Sequence, residues 1–285
     1  MKPPPFEYHR ATSVDDALAV LHEVGEDAAV LAGGQSLIPL LNLRLARPEV
    51  VVDINGIPGL DGVAAAPEGV SVGALARART VERDEGVLAT LPVLADAIRH
   101  IAHPQIRVRT SIGGNIAHAD PSSELPAVLA ALEGSVELAS QGGRRSVTAA
   151  DFFEDVFSTA KQPDELVVGV RFPNPAGYRW RFLEVARRHG DYGMVSACVG
   201  LRVDDGTVSE ARIALAGCGP APVRTVAAEQ ALAGAAADAA LAPSAAAAVR
   251  GEVEPSDDIH ATGEYRRYLA GVLVGRAVMS ILEER

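Results

Sequence analysis

The sequence predicts an α+β chain of two domains. A two-part α/β domain comes first. A smaller domain follows, with a three-stranded antiparallel sheet and a helical C-terminus. Three observations predict this. Helix-period and strand-like segments alternate through the first 175 residues. Three strand-like stretches then follow one another beyond Pro173-Asn-Pro-Ala-Gly177. Alanine-rich and helix-period segments fill the rest.

The elements can be justified in order. Ser13-Val-Asp-Asp16 has the form of a capping box, Val14, Ala17, Leu18, Leu21 and Val24 then share a helical face, and Gly25 is a stop. A short apolar run at 28–31 feeds into Gly33-Gly34, and a second, at 50–54, follows segment 37–46. This helix–strand–turn–helix–strand order defines a first subdomain at about 1–55. In a second subdomain, 56–175, residues 69–75 form a strand. Residues 81–102 form a long helical segment with Val87, Leu88, Leu91, Leu94, Ile98 and Ile101 on one face and Pro92 as an interruption or restart. After a turn at Gly113-Gly114 come a short helix at 124–132 and strands at 136–139 and 166–172. The composition shift at 173–177 places the boundary between domains 1–175 and 176–285. Beyond it, strands are expected at 180–186, 195–203 and 208–216, with Asp204-Asp205-Gly206 as a hairpin turn. Helices are expected at 223–232, to about 250, and at 264–284.

Composition excludes several function classes. Hydrophobic residues make up 48% of the chain, ample for a core, and the net charge of −11 opposes a nucleic-acid binder, which needs a basic face. The two cysteines, Cys198 and Cys218, lack CxxC spacing and read as buried free thiols, with a single bridge between them as the alternative. They cannot hold a four-cysteine iron–sulfur cluster within this chain. The first ten residues have no signal-peptide core and no apolar run approaches a membrane span, so a cytoplasmic protein is expected.

Two stretches carry the chemistry. In Leu31-Ala-Gly-Gly-Gln-Ser36 a strand runs into paired glycines, a hydroxyl residue and a helix start. Glycine lets an anion approach the backbone, and successive N–H groups form a nest to which Ser36 can add its hydroxyl, unless it caps the helix. Thr110-Ser-Ile-Gly-Gly-Asn115 repeats the theme with Ser111 and Asn115. Each is weak alone. Together they suit an extended ligand with two phosphates, although neither matches GxGxxG or GxxxxGK[ST].

At this level the residues are recognisable. Ala32-Gly-Gly-Gln-Ser-Leu-Ile-Pro39, His103-Pro-Gln-Ile-Arg107 and Ser111-Ile-Gly-Gly-Asn-Ile-Ala-His-Ala-Asp-Pro121 resemble the FAD-binding medium subunit of the xanthine dehydrogenase / carbon monoxide dehydrogenase family of molybdenum hydroxylases. Arg187-Arg-His-Gly-Asp-Tyr192 and Asp258-Ile-His-Ala-Thr262 extend the resemblance. It implies a PCMH-type FAD-binding domain, with the FAD pyrophosphate held by Ala32, Gly33, Gly34, Gln35, Ser36 and Leu37 and by Ser111, Ile112, Gly113, Gly114 and Asn115. Asp120 flanks the second turn. Glu124 resembles a residue that hydrogen-bonds the cofactor, Val167 one that lines the flavin, and Tyr192 one that approaches the isoalloxazine. The chain departs from the family pattern at Ala102 and Thr110, where glycines are usual, at Ser111 for threonine, and at Glu184, where many members carry lysine.

The resemblance also implies partners: a large subunit with the molybdenum cofactor and a small subunit with two [2Fe–2S] clusters, assembled as a dimer of heterotrimers. This chain would take electrons from those clusters onto FAD and pass them to an external acceptor. Substrate oxidation falls to the partner, and no catalytic side chain is assigned here. A stand-alone FAD oxidoreductase of the same fold is the alternative, though residues after Pro175 leave limited room for a substrate domain.

Other candidates are weaker. His118 and Asp120 lack an evident third metal ligand, so no metal site is assigned. His100 and His103 suit a helix C-terminus. Arg107 and Arg109 either face the pyrophosphate or solvate the loop, and Arg187 and Arg188 are weak candidates for contacting a partner subunit or the adenine end.

Overall fold

The computed structural model describes residues 2–284. Ser13 Oγ accepts from the Asp16 N–H (3.0 Å), and the Asp16 carboxylate accepts from the Thr12 N–H (2.8 Å). The capping box thus reaches back one residue further than its usual form. Helix Val14–Val24 buries Ala17, Leu18 and Leu21 and stops at Gly25, whose φ is +65°. It packs on a three-stranded parallel sheet ordered Glu7–Arg10, Val50–Asp53, Ala28–Leu31. The first of these strands has no apolar alternation to announce it. Its side chains are largely exposed, and its place comes from backbone pairing with Val50–Asp53.

The second part holds a five-stranded antiparallel sheet ordered Val63–Ala66, Gly69–Gly73, Leu166–Pro173, Ser135–Ser140, Gly143–Thr148. The three inner strands are those the pattern marks, while the two edge strands escaped it. Gly143–Thr148 is almost wholly exposed, so nothing forces alternation on it. The segment 81–102 proves to be parts of three helices, Ala78–Arg83, Glu85–Thr90 and Pro92–His100. Asp84 caps the second through the Val87 N–H, and Pro92 restarts the third at its first turn. Each break resets the helical phase. Leu88, assigned to the buried face by one continuous period, is consequently exposed.

The C-terminal sheet is ordered Tyr178–Ala186, Gly193–Asp204, Thr207–Ala216, Val223–Arg224. It matches the expected antiparallel sheet with a two-residue edge strand added, which takes Val223 and Arg224 from the expected helix and leaves Val226–Leu232. Asp205 and Gly206 both have positive φ (50° and 76°), as a tight type I′ hairpin requires. Period-2 alternation splits the faces. Val195, Ala197, Val199 and Leu201 pack under helices Leu241–Glu252 and Gly263–Glu283. Trp180, Phe182, Cys198 and Ala214 turn the other way and join the core of the first domain. By the same alternation Glu184 and Ser196, paired across the two strands, face the first domain. Cys198 and Cys218 are buried free thiols.

The family's usual glycine before His-Pro-Gln-Ile-Arg has a physical reason here. Ala102 sits at φ +42°, a left-handed backbone that costs a residue with a Cβ about 1 kcal/mol. Ala102→Gly is therefore expected to raise Tm by about 2 °C. A lowered Tm in a thermal melt would count against this strain. Thr110 shows no such strain and donates its hydroxyl to Ile106 O (3.1 Å), so that position does not need glycine.

Candidate functional site

A cavity of about 490 Å³ opens where the two parts of the first domain meet, and the C-terminal domain contributes Gly190, Asp191 and Tyr192 to its wall. The strand Ala28–Leu31 delivers the chain into it at Ala32. Gly34 turns with φ +72°, and helix Leu37–Asn42 leaves it. Among the described residues, the backbone N–H groups of Gly33, Gly34, Gln35, Ser36 and Leu37 have no acceptor. Five successive free donors on a left-handed bend form an anion nest. Ser36 makes no capping bond, so its hydroxyl adds to the set.

The second segment behaves differently from a plain turn. Ser111 is the N-cap of a helix, Ile112–His118, that contains both glycines. Their backbones are ordinary helix, and what they supply is closeness. A Cβ on Gly113 would lie 2.6 Å from Ala74 Cα, so this glycine seats the helix on the sheet. A Cβ on Gly114 would project between Ser111 Oγ (2.6 Å) and Ala32 Cβ (3.7 Å), into the gap between the segments. Ile112 and Gly113 spend their N–H groups on Ala76 O and Ala74 O, whereas the Gly114 N–H has no acceptor among the described residues. Ser111 Oγ is buried without a partner. A buried hydroxyl left unpaired costs about 1–3 kcal/mol, so one aimed beside free N–H groups marks a place for a ligand oxygen. Asn115 accepts from Ser123 Oγ (2.9 Å), which orients its amide.

The two segments are locked together by residues that no motif announced. Asn55 Nδ2 donates to Ala32 O (2.9 Å), Arg77 Nη2 to Asn55 Oδ1 (2.5 Å), and Arg77 Nη1 to Arg109 O (2.9 Å). Gly33 rests against that same carbonyl, where its Cβ would come within 2.3 Å. Arg77 thus ties the first turn to the stretch before the second, across the subdomain junction.

Ala32, Gly33, Gly34, Gln35, Ser36, Leu37, Ser111, Gly113, Gly114, Asn115, Asp120, Glu124, Val167 and Tyr192 all line this one cavity. Ile112 does not. Its side chain is fully buried in the core, and its N–H is already used. Tyr192, 70% exposed, stands at the rim rather than packing between domains. Glu124 opens helix Glu124–Ala131 and is buried. Burial, then the charge of Glu184, then that of Asp120 push its carboxyl up to about 8, so it is mostly protonated at neutral pH. Burial lowers the His118 pKa, so its ring stays neutral, and that ring lies tilted against Phe157 with centroids 4.9 Å apart. Lys161, the one lysine or arginine along the wall, is anchored through Nζ to Gln162 O (2.8 Å) and Glu165 O (3.3 Å). Its lone position in an ordinary-looking loop left no signal in the sequence.

Several candidates lie elsewhere. Arg107 is buried, pairing with Glu82 (3.1 Å) and donating to Ile101 O and Ala102 O (3.1 Å each), so it braces a helix end and faces no ligand. Arg109 offers its carbonyl to Arg77 and its side chain to solvent. Arg187 and Arg188 are exposed, the latter paired with Asp191 (3.1 Å). His103 is the N-cap of helix Pro104–Arg107, and Gly190 packs against its ring, leaving no room for a Cβ. The Asp258–Thr262 stretch is structural. Asp258 accepts from the His260 and Ala261 N–H groups and binds buried Arg266 (2.6 Å), while Thr262 caps the last helix. Among the described residues no group of three His, Cys, Asp or Glu could hold a metal.

Comparison with known proteins agrees with this geometry. Residues 4–175 match the family described as FAD binding domain in molybdopterin dehydrogenase, and residues 180–281 match the CO dehydrogenase flavoprotein C-terminal domain. Caffeine dehydrogenase subunit beta of Pseudomonas sp. (strain CBB1) is 41% identical over 280 residues, covering 98% of this chain and 95% of the relative. The carbon monoxide dehydrogenase medium chain of Hydrogenophaga pseudoflava is 39% identical, with 98% and 97% covered. A solved structure of carbon monoxide dehydrogenase from that organism, lacking the Mo-pyranopterin moiety of its molybdenum cofactor, superposes with a TM-score of 0.94 at 40% identity, covering 99% of this chain and 98% of that one.

Proposed function

The chain belongs to the family of FAD-binding medium subunits of molybdenum hydroxylases, and from that premise we propose how its cavity serves an oxidoreductase complex. The cavity holds FAD. The N–H groups of Gly33 to Leu37, with Ser36 Oγ, take one side of the diphosphate, and the Gly114 N–H and Ser111 Oγ take the other. The observation that carries this is the orphaned Ser111 hydroxyl beside six unclaimed N–H groups in one cleft. Lys161 offsets part of the cofactor's negative charge. Val167, Ala32, Ile101 and Ile106 form apolar wall that excludes water, and Tyr192 covers the open side. Glu124 keeps a proton at the wall.

Bound FAD supplies chemistry that accepts electrons one or two at a time. Electrons reach it from [2Fe–2S] clusters of a small partner subunit and leave to an external acceptor. A large partner subunit carries the molybdenum cofactor and oxidises the substrate, and two such heterotrimers pair. We take residues 1–175 as the FAD-binding domain, in subdomains of about 1–55 and 56–175, and residues 176–285 as the C-terminal domain of the flavoprotein subunit. The complex works in the cytoplasm, in keeping with the lack of any helix, among the described residues, long and apolar enough to cross a membrane. Substrate identity lies outside this chain: one subunit of a caffeine dehydrogenase and one of a carbon monoxide dehydrogenase both align with it over nearly their whole length.

The test has two parts. The chain expressed alone and supplied with FAD is expected to turn yellow with one FAD per chain. Purified from its source, it is expected to bring down polypeptides containing iron and molybdenum. A chain that cannot be loaded with FAD would overturn the site. A yellow chain without metal-bearing partners would instead favour a stand-alone FAD oxidoreductase.

A further inference from the structure

Two side chains outside the cavity wall, Asn55 and Arg77, join the segments that enclose its anion-binding groups. Asn55 follows strand Val50–Asp53 of the parallel sheet, and Arg77 follows strand Gly69–Gly73 of the five-stranded sheet. Asp53 Oδ1 accepts from both the Asn55 N–H (2.9 Å) and Asn55 Nδ2 (2.7 Å), while Tyr8 donates its hydroxyl to Asp53 Oδ2 (2.6 Å). This fixes which way the amide points. Its nitrogen donates to Ala32 O, at the entry to the first turn, and its oxygen accepts from Arg77 Nη2. The other end of the chain of bonds lies on the second segment. Arg77 Nη1 donates to Arg109 O, and the Arg77 backbone forms an antiparallel bridge with Ser111. The Ala78 N–H to Thr110 O (2.8 Å) and the Ile112 N–H to Ala76 O (2.9 Å) flank that bridge. Ser111, whose buried hydroxyl has no partner, is thus placed by the stretch that carries Arg77. The Arg109 carbonyl is held from two sides, by the guanidinium and by the backbone of Gly33, where a Cβ would fall 2.3 Å from the oxygen.

Donors on two separate segments can grip one diphosphate only if the gap between them is right. A hydrogen bond weakens steeply over a few tenths of an ångström, so the support behind the donors decides affinity. Bulk cohesion comes from elsewhere: Ala17, Leu18 and Val52 of one part share an apolar core with Leu75, Ala139 and Leu166 of the other. The fold therefore does not depend on the polar tie, which is free to set fine spacing. We propose that Asn55 and Arg77 are positioning residues for the cofactor, holding segments 33–37 and 111–114 at the separation that a diphosphate bridges, without touching it themselves. This rests on the reading that FAD occupies the cavity. Arginine suits the place because its planar fork donates to Asn55 Oδ1 and Arg109 O at once, which an ammonium on a flexible stem does not reproduce.

FAD titration of the full apo chain, with phosphorus NMR of the bound cofactor, tests this. Arg77→Met is expected to weaken FAD binding at least about 10-fold and to move both bound phosphorus resonances toward those of free FAD. Asn55→Ala should act in the same direction. The double variant should lose little more than the larger single loss, because both substitutions break one chain of bonds. Arg77→Lys keeps the charge without the fork and should recover only part of the affinity. Ser13→Ala removes a helix cap near the parallel sheet and lowers stability, yet should leave FAD affinity unchanged. Unchanged affinity in Arg77→Met, losses that add in full, complete recovery in Arg77→Lys, or an equal loss in Ser13→Ala would each overturn the proposal. Amide hydrogen exchange of the apo chain gives a readout that needs no cofactor. Exchange at Ala78 and Ile112 is expected to speed up several-fold in Arg77→Met and Asn55→Ala but not in Ser13→Ala, and exchange equal to the parent's in both would overturn the tie. If exchange responds but the parent chain never takes up FAD, the tie stands and the assigned occupant is wrong. If the parent binds FAD and neither variant changes its affinity, the occupant stands and the positioning role falls.

Discussion

Gly114→Val is expected to abolish FAD binding while the chain stays folded. The added side chain would enter the gap between Ser111 and Ala32, the place assigned to the diphosphate. Its backbone is already helical, valine is no worse than glycine in a helix, and the one contact under 3 Å is with the terminal Oγ of Ser111, which can rotate away, so the fold is expected to survive. The expected loss in affinity is at least about 100-fold, or about 2.7 kcal/mol, with an apo Tm within a few degrees of the parent. Gly113→Val is the contrasting control. Its side chain would strike Ala74 backbone on the sheet, so stability goes before binding can be measured. A flavin titration paired with a thermal melt separates the two. Full FAD stoichiometry in Gly114→Val would mean the diphosphate lies elsewhere.

Glu124 sets the second large effect, on stability against pH. Burial pushes its folded carboxyl up to about 8, from the ordinary glutamate value of 4.5. A group raised in this way holds its full contribution below about pH 4.5. It loses that contribution as pH rises toward 8, because the unfolded chain releases a proton the folded chain keeps. The apo chain is thus expected to lose up to about 5 kcal/mol of stability across this window from this group alone, as an upper bound. Glu124→Gln is isosteric and cannot ionise. It should flatten the curve and stabilise the chain most at pH 8. Urea melts at pH 5, 6.5 and 8 read this directly, and parallel curves for the two chains would refute it.

Much of the site could be read from residue order because its ingredients are local. A strand, a glycine pair and a hydroxyl residue within six positions can form a nest by local geometry alone, and Gly34 adopts the positive φ that such a turn needs. The second glycine pair was found by the same reasoning but for another physical cause. There the glycines allow a helix to approach Ala74 and Ala32, a contact set by distant elements. Ile112 shows the limit: it sits within the motif yet faces the core.

Sequence alone determined the fold class, the inner strands, the Ser13 cap and Gly25 stop of the first helix, and the stretches that meet at the cavity, since periodicity and turn chemistry act over a few residues. Only the tertiary structure decided the edge strands, the restart of the helix at Pro92, the Asn55–Arg77 tie, and the anchoring of Lys161 in the wall. It also decided that the Glu184 side chain, where the family often has lysine, is buried on the sheet face turned toward the first domain. Those outcomes depend on which surfaces pack against one another and which charges lose their water. Neither is encoded at short range.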